Sequence, residues 1–102
     1  MKTRLPVIQA CLDYIDQHLL EELDTDQVAA FSGFSKPHFY RLCRDCTGLS
    51  AGNYIIRRKM QFAAWDLARG AKVLEVAMRY GYDTHMGFVK AFKRQFNCPP
   101  NV

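Results

Sequence analysis

The chain contains one short device twice. GFSKPHFYRLCR, residues 33–44, returns 48 positions later as GYDTHMGFVKAFK, residues 81–93. Each copy has Gly followed by an aromatic residue, a Ser or Asp able to cap a helix, then a Phe (Phe39, Phe88) with a cation two residues on (Arg41, Lys90). Upstream, Val28-Ala29 stands five residues before Gly33, and Val76-Ala77 five before Gly81. A short helix, a Gly-centred turn and a second helix make a helix-turn-helix unit. The repeat therefore predicts two such units in one small fold.

Helical spacing governs the remaining chain. Pro6 suits a first helical turn, and Ile8, Cys11, Leu12, Ile15 and Leu19 then follow the i, i+3, i+4 pattern of one buried stripe. Asp24 with Gln27 resembles a capping box that opens a short helix through Phe31. Ser35 caps a third helix, with Pro37 tolerated in its first turn. Gly48 breaks the pattern, and Ser50 caps the longest helix, from Ala51 to Ala68, closed by Gly70. A fifth helix covers Val73 to Tyr80. Asp83 or Thr84 caps a sixth, to Phe96, and Pro99-Pro100 forbids continuation. No stretch alternates with period two. The expected fold is all-α over 1–102, with helix-turn-helix subdomains at 24–46 and 73–96, a linker helix over 51–68, and about six to seven helices.

Charge narrows the partner. Residues 1–26 hold two basic and six acidic side chains, a balance of −4, whereas residues 27–102 hold twelve basic and four acidic, a balance of +8. Such an excess attracts polyanions, nucleic acid first; charge alone does not separate DNA from RNA or an anionic membrane surface. The acidic start, Asp13, Asp16, Glu21, Glu22, Asp24 and Asp26, reads as a solvated surface or a protein-docking one. No run is long and apolar enough to span a bilayer and no signal-peptide pattern opens the chain, so no membrane role and a cytoplasmic setting are expected. With 49% apolar residues, seven Phe and five Tyr, a buried core is affordable.

The second helix of each unit divides into two faces. From Ser35 to Cys46, Phe39, Leu42, Cys43 and Cys46 share a docking face, while Pro37, Tyr40, Arg41 and Arg44 share the opposite one. Arg donates a bidentate pair to guanine O6 and N7, and Tyr contacts a phosphate, a base edge or a thymine methyl. Lys36 and Arg44 suit phosphates, as does the helix N-terminus near His38. In the second unit Phe88, Ala91, Phe92 and Gln95 form the docking stripe. Met86, Val89, Lys90 and Lys93 face outward, with Thr84 and His85 at the helix start and Arg94 beside Lys93. Met86 and Val89 suit thymine methyls, unless Met86 packs on a neighbouring helix. An ordinary solvated basic face would explain one such helix; the repetition favours recognition. The eighteen residues of the linker helix span about 27 Å, against roughly 34–36 Å between successive major-groove turns. Two reading helices on one duplex are thus expected from a monomer.

The block VAAFSGFSKPHFYRLCRDCTG and the block EVAMRYGYDTHMGFVKAFKRQFNCPP resemble the two halves of the DNA-binding domain of the AraC/XylS family of bacterial transcription regulators. Tyr54 and Ala63 also stand where its linker helix has Tyr and Ala. The likeness is greatest to the family's MarA, SoxS and Rob group. It implies double-stranded DNA as partner, activation through RNA polymerase recruitment, a nucleoid-associated protein and no cofactor. Carried over by position, base contacts fall on Pro37, Tyr40 and Arg41, and on His85, Met86, Val89 and Lys90. Departures are Pro37 for a Trp, Cys43 for a Phe, Lys59 for an Arg and Asn97 for a Gly. An end at Val102, before the family's Tyr-Arg pair, points to a domain of a longer regulator with a C-terminal effector-binding domain, with a free-standing regulator as the alternative.

Other chemistries have less support. Four cysteines (Cys11, Cys43, Cys46, Cys98) are expected as free thiols. Zinc needs four ligands, and only scattered Cys and His could complete the Cys43–Cys46 pair, so no metal is expected. A thiol or metal sensor at that pair, or a helical protein-interaction module, stays open as an alternative. Asp66 and Glu75 read as isolated surface carboxylates. No nucleophile stands with a base and an orienting group, and no phosphate-binding Gly loop occurs. An enzyme is not expected.

Overall fold

The computed structural model describes residues 4–100 and is all-α, as the periodicity requires. Six helices follow in order: α1 (Arg4–Gln17), α2 (Thr25–Ser32), α3 (Lys36–Thr47), α4 (Ala51–Ala68), α5 (Val73–Arg79) and α6 (His85–Phe96). They divide into two compact units, with the boundary along the chain between Ile56 and Arg57, inside α4. None is long and apolar enough to cross a membrane among the described residues.

In the first unit, the α1 stripe of Ile8, Cys11 and Ile15, continued by Leu19, packs with Val28, Ala29, Phe39, Leu42, Cys43, Ala51 and Ile55. Asp24 opens α2 with a full capping box: its side chain accepts from the Asp26 amide at 3.0 Å, and Gln27 Oε1 accepts from the Asp24 amide at 3.3 Å. Gly33 then turns the chain at φ 79°, a left-handed angle that would strain a side chain. Because Gly33 holds the turn open, α3 lies back on α2 with Phe39 fully buried.

The second unit repeats this arrangement with fewer residues. Its core is Met60, Ala63, Val76, Ala77, Tyr80, Phe88 and Phe92. Val28 and Val76 are both 0% exposed, and so are Phe39 and Phe88. The duplicated Val-Ala pair and the duplicated Phe are thus one packing solution used twice: in each unit the first helix contributes the small Val-Ala pair and the second a buried ring to the same core. Losing such a ring to alanine costs about 3–5 kcal/mol.

The end of α5 differs from expectation, and the end of α6 does not. Tyr80 follows α5 rather than ending inside it, a difference within the ordinary fraying of helix ends. At the other end of the unit, α6 closes on Asn97 at φ 58°, a left-handed position that Asn tolerates better than other non-glycine residues.

Candidate nucleic-acid interface

Ser35 starts α3. Its backbone is extended, and its hydroxyl accepts from the His38 amide at 3.4 Å. Phe39, Leu42 and Cys43 turn inward. On the far side Pro37, Arg41 and Arg44 are exposed. Among the described residues neither the Arg41 nor the Arg44 side chain has a hydrogen-bond or ion-pair partner, so both forks of donors are uncommitted. His38 is half-buried, with its ring 4.7 Å from the Phe34 ring.

Tyr40 is placed otherwise than the pattern of faces predicts, and Lys36, though exposed, is engaged within the fold. Tyr40 is half-buried against the first core. Its hydroxyl donates to Asp26 Oδ1 at 2.7 Å and lies 3.4 Å from Thr25 Oγ1. Lys36 Nζ donates to Asp26 Oδ2 at 3.1 Å. One carboxylate at the start of α2 therefore holds two groups of α3. The Tyr40 hydrogen bond, and then Lys36, hold the Asp26 carboxyl below the usual carboxylate range, while Asp26 pushes the Lys36 ammonium up. The sequence places Asp26 in a solvated or protein-docking acidic surface; the fold ties it to α3 instead. The bonds span 10 and 14 positions, beyond any helical repeat, so local pattern carries no sign of them.

The first unit also has an open hollow of about 330 Å³ lined by Thr25, Tyr40, Arg44, Ser50, Ala51 and Gly52. Here α4 begins, with Ser50 Oγ accepting from the Asn53 amide at 3.2 Å. Free amides of a helix start and a guanidinium share its wall, a combination suited to an anion. Of the residues that line this hollow at the start of α4, the sequence points to Ser50, as a cap, and not to Ala51 or Gly52 as part of a site.

In the second unit Thr84, rather than Asp83, caps α6: its hydroxyl accepts from the Gly87 amide at 3.0 Å. Phe88 and Phe92 are buried, with Tyr82 edge-on to Phe88 at 5.6 Å. His85, Met86, Lys90, Lys93 and Arg94 are exposed, and Val89 is half-buried. Met86 is 61% exposed, so it does not pack on a neighbouring helix. Burial pushes the Tyr82 hydroxyl up, and the nearby Arg94 charge works against that shift.

Asp66 is not the isolated carboxylate expected. Its Oδ2 accepts from Arg79 Nη1 at 2.8 Å and from the Tyr80 hydroxyl at 2.7 Å. Burial first, then this bond, push Tyr80 up to about 12. Cys46 likewise departs from its expected place: Cys43 is buried but Cys46 is exposed, because the docking stripe runs out one turn before α3 ends. Burial pushes the Cys43 thiol up to about 11, which keeps it protonated and unreactive at neutral pH. No group of three or more His, Cys, Asp or Glu that could hold a metal ion occurs among the described residues.

The profile of a family described as a helix-turn-helix domain matches residues 28–102. The transcriptional regulator Rob of Salmonella typhimurium is 37% identical over 95 residues, 92% of this chain and 33% of that protein. The chain thus spans about a third of the length of that relative. The regulatory protein SoxS of Escherichia coli K12 is 34% identical over 96 residues, 93% of this chain and 90% of that one. Among solved structures, the DNA-binding domain of AdpA, a global transcriptional factor in complex with a target DNA, superposes with a TM-score of 0.82 at 27% identity. The match covers 93% of this chain and 86% of that one.

Proposed function

The chain belongs to the AraC/XylS family of helix-turn-helix DNA-binding domains, and on that premise we propose that it binds double-stranded DNA in a sequence-specific way to regulate transcription. The observation that carries the reading is the outer face of α3: two exposed, uncommitted guanidiniums on a helix docked through Phe39, Leu42 and Cys43 on its other face. A likeness to a domain solved on its target DNA supports it.

Under this proposal α3 and α6 each enter the major groove, in successive turns of one duplex. Arg41 carries base discrimination through guanine O6 and N7, with Tyr40 and His38 in support. Arg44, with the α4 start across the hollow, takes a phosphate. In α6, His85, Met86, Val89 and Lys90 meet base edges, Thr84 stands at the helix start, and Lys93 and Arg94 draw the backbone. Activation through RNA polymerase is the expected direction of regulation, read from the SoxS and Rob likeness, and a reconstituted transcription assay checks it.

Selection from a random duplex pool should return two short elements about one helical turn apart. Arg41→Ala should cost about 1–3 kcal/mol on the selected duplex and relax preference at one position. A uniform loss on all sequences would remove Arg41 from base recognition, and no retardation of any duplex at low salt would remove DNA as the partner.

A further inference from the structure

Asp26 does something that neither helix-turn-helix geometry nor phosphate attraction requires. It places a negative charge against two residues of the helix that reads DNA. Its carboxylate is anchored from one side by the half-buried Tyr40 hydroxyl at 2.7 Å, and it takes the Lys36 ammonium on the other oxygen at 3.1 Å. We propose that Asp26 is a specificity-determining residue: an internal anion that competes with DNA phosphate for Lys36 and so suppresses binding to non-cognate duplex. This rests on the proposed DNA-binding role of α3.

An exposed ion pair alone is weak and would yield readily to a phosphate. Two features make this one costlier to break. Tyr40 fixes the carboxylate, so it does not swing away when the ammonium leaves. Departure of Lys36 would also strand Asp26, unneutralised, in the negative potential of a polyanion. Random duplex offers only phosphates and gains Lys36 only at that cost. A cognate duplex adds base contacts to the exposed Arg41, which Asp26 does not touch. The carboxylate therefore lowers non-specific affinity more than specific affinity, and widens the ratio that decides occupancy in a genome of competing sites.

The magnitude follows from counterion release. One further neutralised phosphate steepens log affinity against log salt by about 0.9, which at 0.1 M salt amounts to about 5–10-fold. Fluorescence anisotropy on a labelled random duplex, from 50 to 300 mM KCl, measures both quantities. Asp26→Asn should tighten random-duplex binding about 5–10-fold at 100 mM and steepen the salt slope by about one, with a smaller gain on the selected duplex. Asp26→Glu should restore the shallower slope, and Asp26→Ser serves if the Asn variant does not fold. In an Asp26→Asn, Lys36→Gln double variant, most of the gain should vanish.

An unchanged slope in the folded Asn and Ser variants would overturn the proposal. So would a gain that survives loss of Lys36, since that would reduce Asp26 to general charge repulsion. Wild-type protein that fails to bind duplex at 50 mM would instead sink the DNA-binding reading itself, and this inference with it.

Discussion

Gly87 stands in the first turn of α6, where alanine would be the better helix former by about 1 kcal/mol. The structure opposes that gain. A Cβ built on Gly87 would lie 3.0 Å from Thr84 Oγ1, the atom that accepts the Gly87 amide as the helix cap, and 3.9 Å from Tyr82 Cδ1. At 3.0 Å the hydroxyl must retreat by a few tenths of an ångström, which lengthens the bond it caps with. A Thr cap is worth about 1 kcal/mol. The two effects are of equal size and opposite sign, so Gly87→Ala should change stability by less than about 0.5 kcal/mol. Thr84→Ala should cost about 1 kcal/mol by itself. With the hydroxyl gone, however, Gly87→Ala should stabilise by about 0.5–1 kcal/mol, a rise in Tm of several degrees for a domain of this size. Thermal unfolding of the four proteins by far-UV circular dichroism completes the double-mutant cycle. An equal effect of Gly87→Ala with and without Thr84 would refute the contact and, with it, the account of why a glycine stands there.

Tyr80 is 6% exposed and bonded to Asp66, so Tyr80→Phe should destabilise by about 1–2 kcal/mol in denaturant unfolding. The same hydroxyl has a sign in pH. It holds its proton up to about 12 in the fold, while a tyrosine in the unfolded chain releases it near 10. Between those values the native state binds more protons, stability falls as pH rises, and the Phe variant should lose part of that dependence. Thiol labelling separates the cysteines: at pH 8, iodoacetamide should modify the exposed Cys46 and Cys98 quickly. The buried Cys11 and Cys43 should react only on unfolding, and mass spectrometry of the digested protein reads the difference.

What was legible in the sequence was what local physics decides. Asp24 with Gln27, Ser35, Ser50 and the left-handed glycines mark helix ends within a few residues, and Phe39 and Phe88 announce buried faces by their spacing. The illegible part was tertiary. Asp26 reaches Tyr40 and Lys36, and Asp66 reaches Arg79 and Tyr80, over separations that no helical period encodes. Assigning Tyr40 wholly to the outer face failed because an aromatic side chain at the edge of a stripe has both a body to bury and a hydroxyl to satisfy. Cys46 failed for the opposite reason: periodicity does not say where the opposing surface ends.

Phe39 and Phe88 are shut off from solvent, whereas Arg41, Arg44, Lys90 and Lys93 are exposed to it. Holding a helix and displaying chemistry on it are thus entrusted to different side chains. Exchanges at such exposed positions ordinarily shift stability by less than about 0.5 kcal/mol. The outward residues can be redrawn, by drift or by an engineer, while the rings keep each helix seated. A scaffold organised this way can acquire a new target without first learning to fold again.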